Sequence, residues 1–285
     1  MDTDTFSDKD VIDYSKNNFI NIKMNTDTDE GFELFKSFHG VSLPTLLFLD
    51  SNGDEIDRFI GYYDAQQYLE KINNIKNGIN TLDYFLSLYN QYPDSSYLAL
   101  QIGNKYLERK NIDIAKPFFS DVLNGKDNKY YQEANYRLAI LEYENNNFDP
   151  LLDFIDENPN SDFTYSGLRS IIRYYRGTAD TTSEIKYYNK LITFFPTDPN
   201  ALNSYGWRMS ELEINLEDAL EKTQLAVRLS EENSETQANI IDTAAEILWK
   251  LGKIKEAIIA IEKAIFINPD KEYFIDQKNK FSESL

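Results

Sequence analysis

Enzyme chemistry needs nucleophiles, proton-transfer groups or metal ligands, and this chain of 285 residues lacks the most versatile of them: it has no cysteine. The thiolate is the nucleophile of disulfide exchange and a common zinc ligand. As written, the chain can neither exchange disulfides nor build a thiolate metal site. His39 is the single histidine. One imidazole without partner ligands cannot complete a zinc site, and its place beside Gly40 marks it as a loop residue. Asn25-Thr26-Asp27-Thr28-Asp29 imitates the opening of a calcium loop. The sixth position of such a loop needs glycine and here is Glu30; the twelfth needs glutamate and is Lys36. Asp29 therefore reads as a helix cap, and Asp50, Asn52 and Asp54 read as turn residues. Carboxylate pairs such as Glu231 and Glu232, or Asp153 and Asp156, are expected by chance among 48 acids. None stands in a glycosidase or protease context. No nucleophile elbow, phosphate loop or dinucleotide fingerprint occurs. The expectation is no catalytic residue, no metal and no cofactor.

The charge narrows the partners. A formal net charge of −19 leaves no basic face to displace phosphate counterions, which disfavours nucleic acid and anionic membrane surfaces. No apolar run approaches the roughly 20 residues of a membrane helix. Met1 to Phe6 has neither the basic nor the apolar region of a signal peptide, so the chain itself sets no compartment.

The first third alternates between helix and strand patterns. Asp8 to Asn17 reads as a short helix. Phe19 to Met24 alternates with period two, as a half-buried strand does. Asp29 is expected to cap a helix over Glu30 to Phe38, ended by Gly40. Leu46 to Leu49 is an uninterrupted apolar run, expected as a strand buried on both faces. Asp50-Ser51-Asn52-Gly53 is a hairpin turn, Ile56 to Ile60 the returning strand, and Asp64 the cap of a helix from Ala65 to about Ile75. Lys76-Asn77-Gly78 reads as a linker.

From about Thr81 strand signals vanish and small residues recur at a fixed interval. Ala115 follows Gly103 by twelve positions; Trp207 and Ala219 repeat that interval, as do Ala245 and Ala257. Ala226 and Ala264 come seven residues after Ala219 and Ala257. Tyr106, Phe119, Leu248 and Ile261 stand where a large side chain would fill the gap between closely approaching helices. Pro93, Pro159, Pro196 and Pro269 close helices. This spacing resembles tetratricopeptide repeats. The last unit matches best. The middle units are degraded, with Leu151 and Glu184 at positions where a small residue is expected. An insertion is expected near Asn233 to Asn239. The resemblance implies an α-helical solenoid that binds a partner segment on its inner groove.

A second resemblance covers residues 6–72. Ser42-Leu43-Pro44-Thr45-Leu46-Leu47-Phe48-Leu49-Asp50 looks like the cis-proline strand of the thioredoxin family, and Ser51 to Gly61 like its final hairpin. The resemblance implies a cis Pro44 whose neighbour Leu43 contacts bound peptide. The family's Cys-x-x-Cys would precede the equivalent of Phe6, so a truncated start is the expectation, with a propped remnant as the alternative. Without the strand that carries that motif, the strands at Ile20–Met24 and Thr45–Leu49 would face an open slot.

The combined expectation is a partial α/β thioredoxin-like domain over residues 1–76, followed by an all-α tetratricopeptide-type solenoid over 80–285. The function expected is protein or peptide binding, without enzymatic activity as the chain stands. The alternative is a thiol–disulfide oxidoreductase whose Cys-x-x-Cys lies upstream of Met1; a periplasmic or exported location would follow from that. Candidate peptide-binding residues are Leu43 and Pro44, with Tyr97, Gln101, Asn104, Tyr136, Asn203 and Asp242 chosen by helical phase on first helices. Gly103-Asn104 only weakly resembles a terminal-carboxylate clamp, because Leu100 stands where that clamp needs lysine.

Overall fold

A computed structural model describes residues 1–125 and 128–284. The front of the chain forms α1 (Lys9–Asn18), α2 (Asp29–Ser37), a hairpin of β1 (Thr45–Leu49) and β2 (Glu55–Ile60), and α3 (Ala65–Lys76). Helices follow without interruption by strands: α4 (Leu82–Gln91), α5 (Ser96–Leu107), α6 (Ile112–Asn124), α7 (Tyr131–Glu144), α8 (Asp149–Glu157), α9 (Asp162–Gly177), α10 (Thr181–Phe194), α11 (Pro199–Leu212), α12 (Leu216–Leu229), α13 (Glu235–Lys250), α14 (Ile254–Ile267) and α15 (Glu272–Ser282). The chain divides into two compact units, Met1–Leu151 and Leu152–Leu285. The front segment lies in the same compact unit as the first helical hairpins.

In the first unit, side-chain caps set the helix starts. Asp8 accepts from the backbone of Asp10 and Val11, and Asp64 forms a reciprocal capping box with Gln67. Thr28, not Asp29, caps α2, accepting from Gly31 N–H. Leu43–Pro44 is cis, as expected, and Pro44 C=O accepts from Gly61 N–H at 2.9 Å. The antiparallel register runs Thr45↔Ile60 to Phe48↔Asp57. Val11, Phe59, Tyr68, Ile72 and Ile75 form the core between α1, β2 and α3.

Two expectations for this segment fail. Phe19 to Met24 forms no strand: Ile20 is 94% exposed and Ile22 78%. Alternation only makes a strand possible; a ladder partner makes it real, and none reaches this segment. Leu46–Leu49 is half-buried to exposed rather than covered on both faces. Among the described residues the sheet has two strands. A thioredoxin-like domain is therefore not formed, and the redox reading loses its structural basis.

The helical part is a series of hairpins of tetratricopeptide-like design. First helices begin at Ser96, Tyr131, Asp162, Pro199, Glu235 and Glu272, a repeat of about 35 residues. Hairpins close where small side chains admit the neighbour. Ala115, Ala219, Ala226, Ala245, Ala257 and Ala264 are fully buried. A Cβ added to Gly103 would lie 2.6 Å from the ring of buried Phe119. The corresponding residue in the second unit is Gly206, where a Cβ would lie 2.0 Å from Thr223 Oγ1. The expected small position there falls one residue earlier than Trp207. The degraded positions are also packed. Leu151 is buried, and so is Glu184, whose carboxylate takes both arms of Arg208 at 2.7 and 2.9 Å.

A buried ionic lattice joins the β-hairpin to α5. Asp57 and Arg58 of β2 are almost completely buried. Arg109 Nη2 reaches Asp57 at 2.8 Å and Glu55 at 2.9 Å, Lys105 pairs with Asp57, and Arg58 donates to Glu55 and, at 3.1 Å, to Glu108 C=O. Burying such groups is costly, and removing one partner leaves the others desolvated and unpaired.

Asp57→Ala should destabilise the first unit by about 3–5 kcal/mol, because it leaves the Lys105 ammonium without its carboxylate and Arg109 with Glu55 alone. Urea denaturation of the full chain measures this; a loss below about 1 kcal/mol would mean the lattice is solvated. Gly103→Ala should cost about 1–3 kcal/mol, since the clash with Phe119 outweighs a helix-propensity gain of about 1 kcal/mol. A stabilised Gly103→Ala variant would contradict the close packing.

Candidate functional site

The first helices carry the polar positions of each unit. In the first unit α5 presents Gln101 and Asn104, both half-buried. Asn104 Nδ2 donates to Glu133 of α7 at 3.1 Å, and Glu133 also accepts from Arg137 at 3.1 Å. Arg137 Nε is buried without a hydrogen-bond partner. Asn104 is thus part of a polar bridge between two first helices, with one donor left over. Tyr97 is half-exposed, but its ring packs against Phe85 and Tyr130, at 6.2 and 5.7 Å between centroids. Tyr136, expected on the open face, is buried; its phase points it into the packing of α7. Leu43 and Pro44 are exposed and belong to the loop before β1.

In the second unit the expected residues are Asn203 on α11 and Asp242 on α13. Each has a buried side-chain oxygen, Oδ1, that accepts no hydrogen bond. Between α9 and α11 lies a cavity of about 480 Å³, lined by Asp162, Tyr165, Arg169, Phe195, Asp198 and Ser204 among others. Tyr165 stacks edge-on against Phe195 at 5.1 Å. The wall therefore offers an aromatic face, a guanidinium, hydroxyls and carboxylates. Among these lining residues there is no nucleophile–base pair. Tyr165, Arg169 and Ser204 were missed from the sequence because α9 matches the repeat pattern poorly. The aromatic–arginine spacing on one helical face is the signal that could have found them.

Asp242 is 6% exposed. Burial, with Glu246 one turn on as a like charge, raises its carboxyl pKa to about 7. Lys271, Lys280 and Tyr273, from or just before α15, oppose that shift. Glu246 itself is held by Lys280 at 2.7 Å, and Lys271 donates to Asn239 at 2.7 Å. The lysines are thus committed to other acceptors, and Asp242 is left with the buried, unpartnered oxygen. Among the described residues no cluster of three or more histidine or carboxylate groups could hold a metal ion.

Because the folded state holds the Asp242 proton more tightly than the unfolded chain, stability from this group is present at low pH. It is lost as pH rises from the ordinary carboxylate value of 3.8 toward about 7, with the full penalty above that. Asp242→Asn removes the titration. Its thermal midpoint should match the wild type only below the ordinary carboxylate value of 3.8, exceed it increasingly as pH rises toward about 7, and keep a constant excess above that. Parallel pH profiles for the two proteins would contradict this assignment.

No family model matches the chain. It is similar to the TPR repeat-containing protein MJ1428 of Methanocaldococcus jannaschii, at 27% identity over 235 residues. That match takes in 78% of the chain and 38% of the relative, so the chain spans well under half the length of the curated protein it matches. Among solved structures it is similar to YrrB, described as a TPR protein with an unusual peptide-binding site, at 14% identity and a TM-score of 0.47, covering 70% of this chain and 99% of that one. A tetratricopeptide repeat protein from Parabacteroides merdae overlaps at 17% identity and a TM-score of 0.38, over 76% and 80% of the two chains. The TPR2AB domain of yeast Sti1, in complex with pHSP90, overlaps at 10% identity and a TM-score of 0.38, over 76% and 95%.

Proposed function

We propose that this chain is a protein-interaction module that holds an extended segment of a partner on the first helices of its hairpins. The observation that supports it most is the cavity between α9 and α11. It pairs an aromatic face at Tyr165 with the Arg169 guanidinium and the Ser204 hydroxyl. An aromatic wall supplies contact area, and convergent polar groups fix the register of a bound backbone. The chain has no thiol for redox work, and the site has no activated nucleophile, so binding is the chemistry this surface serves. Asn203 and the α5 residues Gln101 and Asn104 lie on first helices and belong to the same reading. Leu43, Pro44 and the front segment are not needed for it.

Selection of a random displayed-peptide library on the full chain tests this reading. A consensus should emerge whose affinity falls about tenfold or more in Arg169→Glu and in Tyr165→Ala, with helical content unchanged. Failure to enrich any consensus, or full binding by both variants, would remove the cavity as the binding site.

A further inference from the structure

The outward face of α14 carries an apolar stripe that no described residue covers. Ala257, Ile261 and Ala264 face the core, and Ile259 and Phe266 point the opposite way, 56% and 83% exposed. Two large apolar side chains two turns apart on one exposed face give a partner helix apolar surface to bury. The charges beside the stripe say which. At 3.6 residues per turn, Lys255 and Glu262 fall on one flank of the stripe, and Glu256 and Lys263 on the other. Each flank therefore carries one cation and one anion, one heptad apart, in opposite order on the two sides. All four are exposed, and Lys255, Glu256 and Lys263 make no ion pair among the described residues.

When two identical helices meet antiparallel about a two-fold axis, like flanks face each other with their order reversed. An axis through Ile259 sets Ile259 against its own copy. It brings Lys255 opposite Glu262 of the second copy on one side and Glu256 opposite Lys263 of the second copy on the other. Phe266 falls toward the turn that precedes the second copy's α14, where a Cβ added to Gly252 would meet nothing within 4 Å. Both flanks are complementary at once among the α14 residues, although Lys278 of α15, which meets Glu262 at 2.7 Å, borders the first pair. From this geometry we infer that α14 is a self-association surface, its occupant a second copy of this chain docked antiparallel. The surface is independent of the cavity between α9 and α11.

Sedimentation velocity on the full chain over about a hundredfold concentration range tests it. The wild type should move from monomer to dimer. Lys255→Glu places acid against Glu262 of the second copy and should weaken association about tenfold. Adding Glu262→Lys in the same chain should restore it. Glu262 also meets Lys278 within its own chain at 2.7 Å. That contact is lost in the double variant, so recovery reports the contact between copies. Ile259→Glu should abolish association with helical content unchanged. A wild type that stays monomeric throughout, as a surface built for a different partner helix would give, overturns the inference. So does an association indifferent to Lys255→Glu, or a double variant no better than the single one.

Discussion

The closest approach of paired helices is the constraint on which this structure depends. Two helices that meet through Gly103 and Phe119, or through Gly206 and Thr223, can do so only while one partner has no side chain there. Buried alanines at 115, 219, 245 and 257 serve the same end with a single methyl. Each hairpin is amphipathic on more than one face, so it cannot bury its apolar surface alone and must stack on the next.

Where the small-residue rule lapses, another interaction replaces it. Glu184 stands at a position that elsewhere takes alanine, and it is tolerated because Arg208 satisfies both carboxylate oxygens. The β-hairpin has little core of its own and is joined to α5 through Glu55, Asp57 and Arg58 facing Lys105 and Arg109. Such lattices specify geometry more than they add stability: each charge is acceptable only while its partners stay in place. Asp242 is the counterexample inside the same fold, a buried acid whose neighbouring lysines are engaged elsewhere.

Much of the repeat architecture was legible in the sequence, because it is written in residue size at fixed spacing. The last hairpin, from Ala245 to Ala264, follows the pattern residue by residue. The α11–α12 hairpin was read one position out, since Trp207 stands beside Gly206 and spacing alone cannot say which faces Thr223. The front segment was read less well. The cis Leu43–Pro44 bond, the hairpin turn and the Asp64 cap are local properties, and local sequence specifies them. The strand at Phe19–Met24 and the double burial of Leu46–Leu49 need neighbours far along the chain, which periodicity does not encode. Site residues divide the same way. Asn203 and Asp242 lie on first helices as expected, whereas Tyr136 turned inward and the walls of the α9–α11 cavity were invisible behind a weak repeat match.

The first helices are the proposed partner-binding surface. Hydrogen exchange of the full chain with and without a selected peptide measures this directly. Added protection should concentrate on α9 and α11 around Tyr165, Arg169 and Asn203, with the second helices α10 and α12 unchanged. Protection confined to second helices, or to the β-hairpin and its flanking loops, would contradict it.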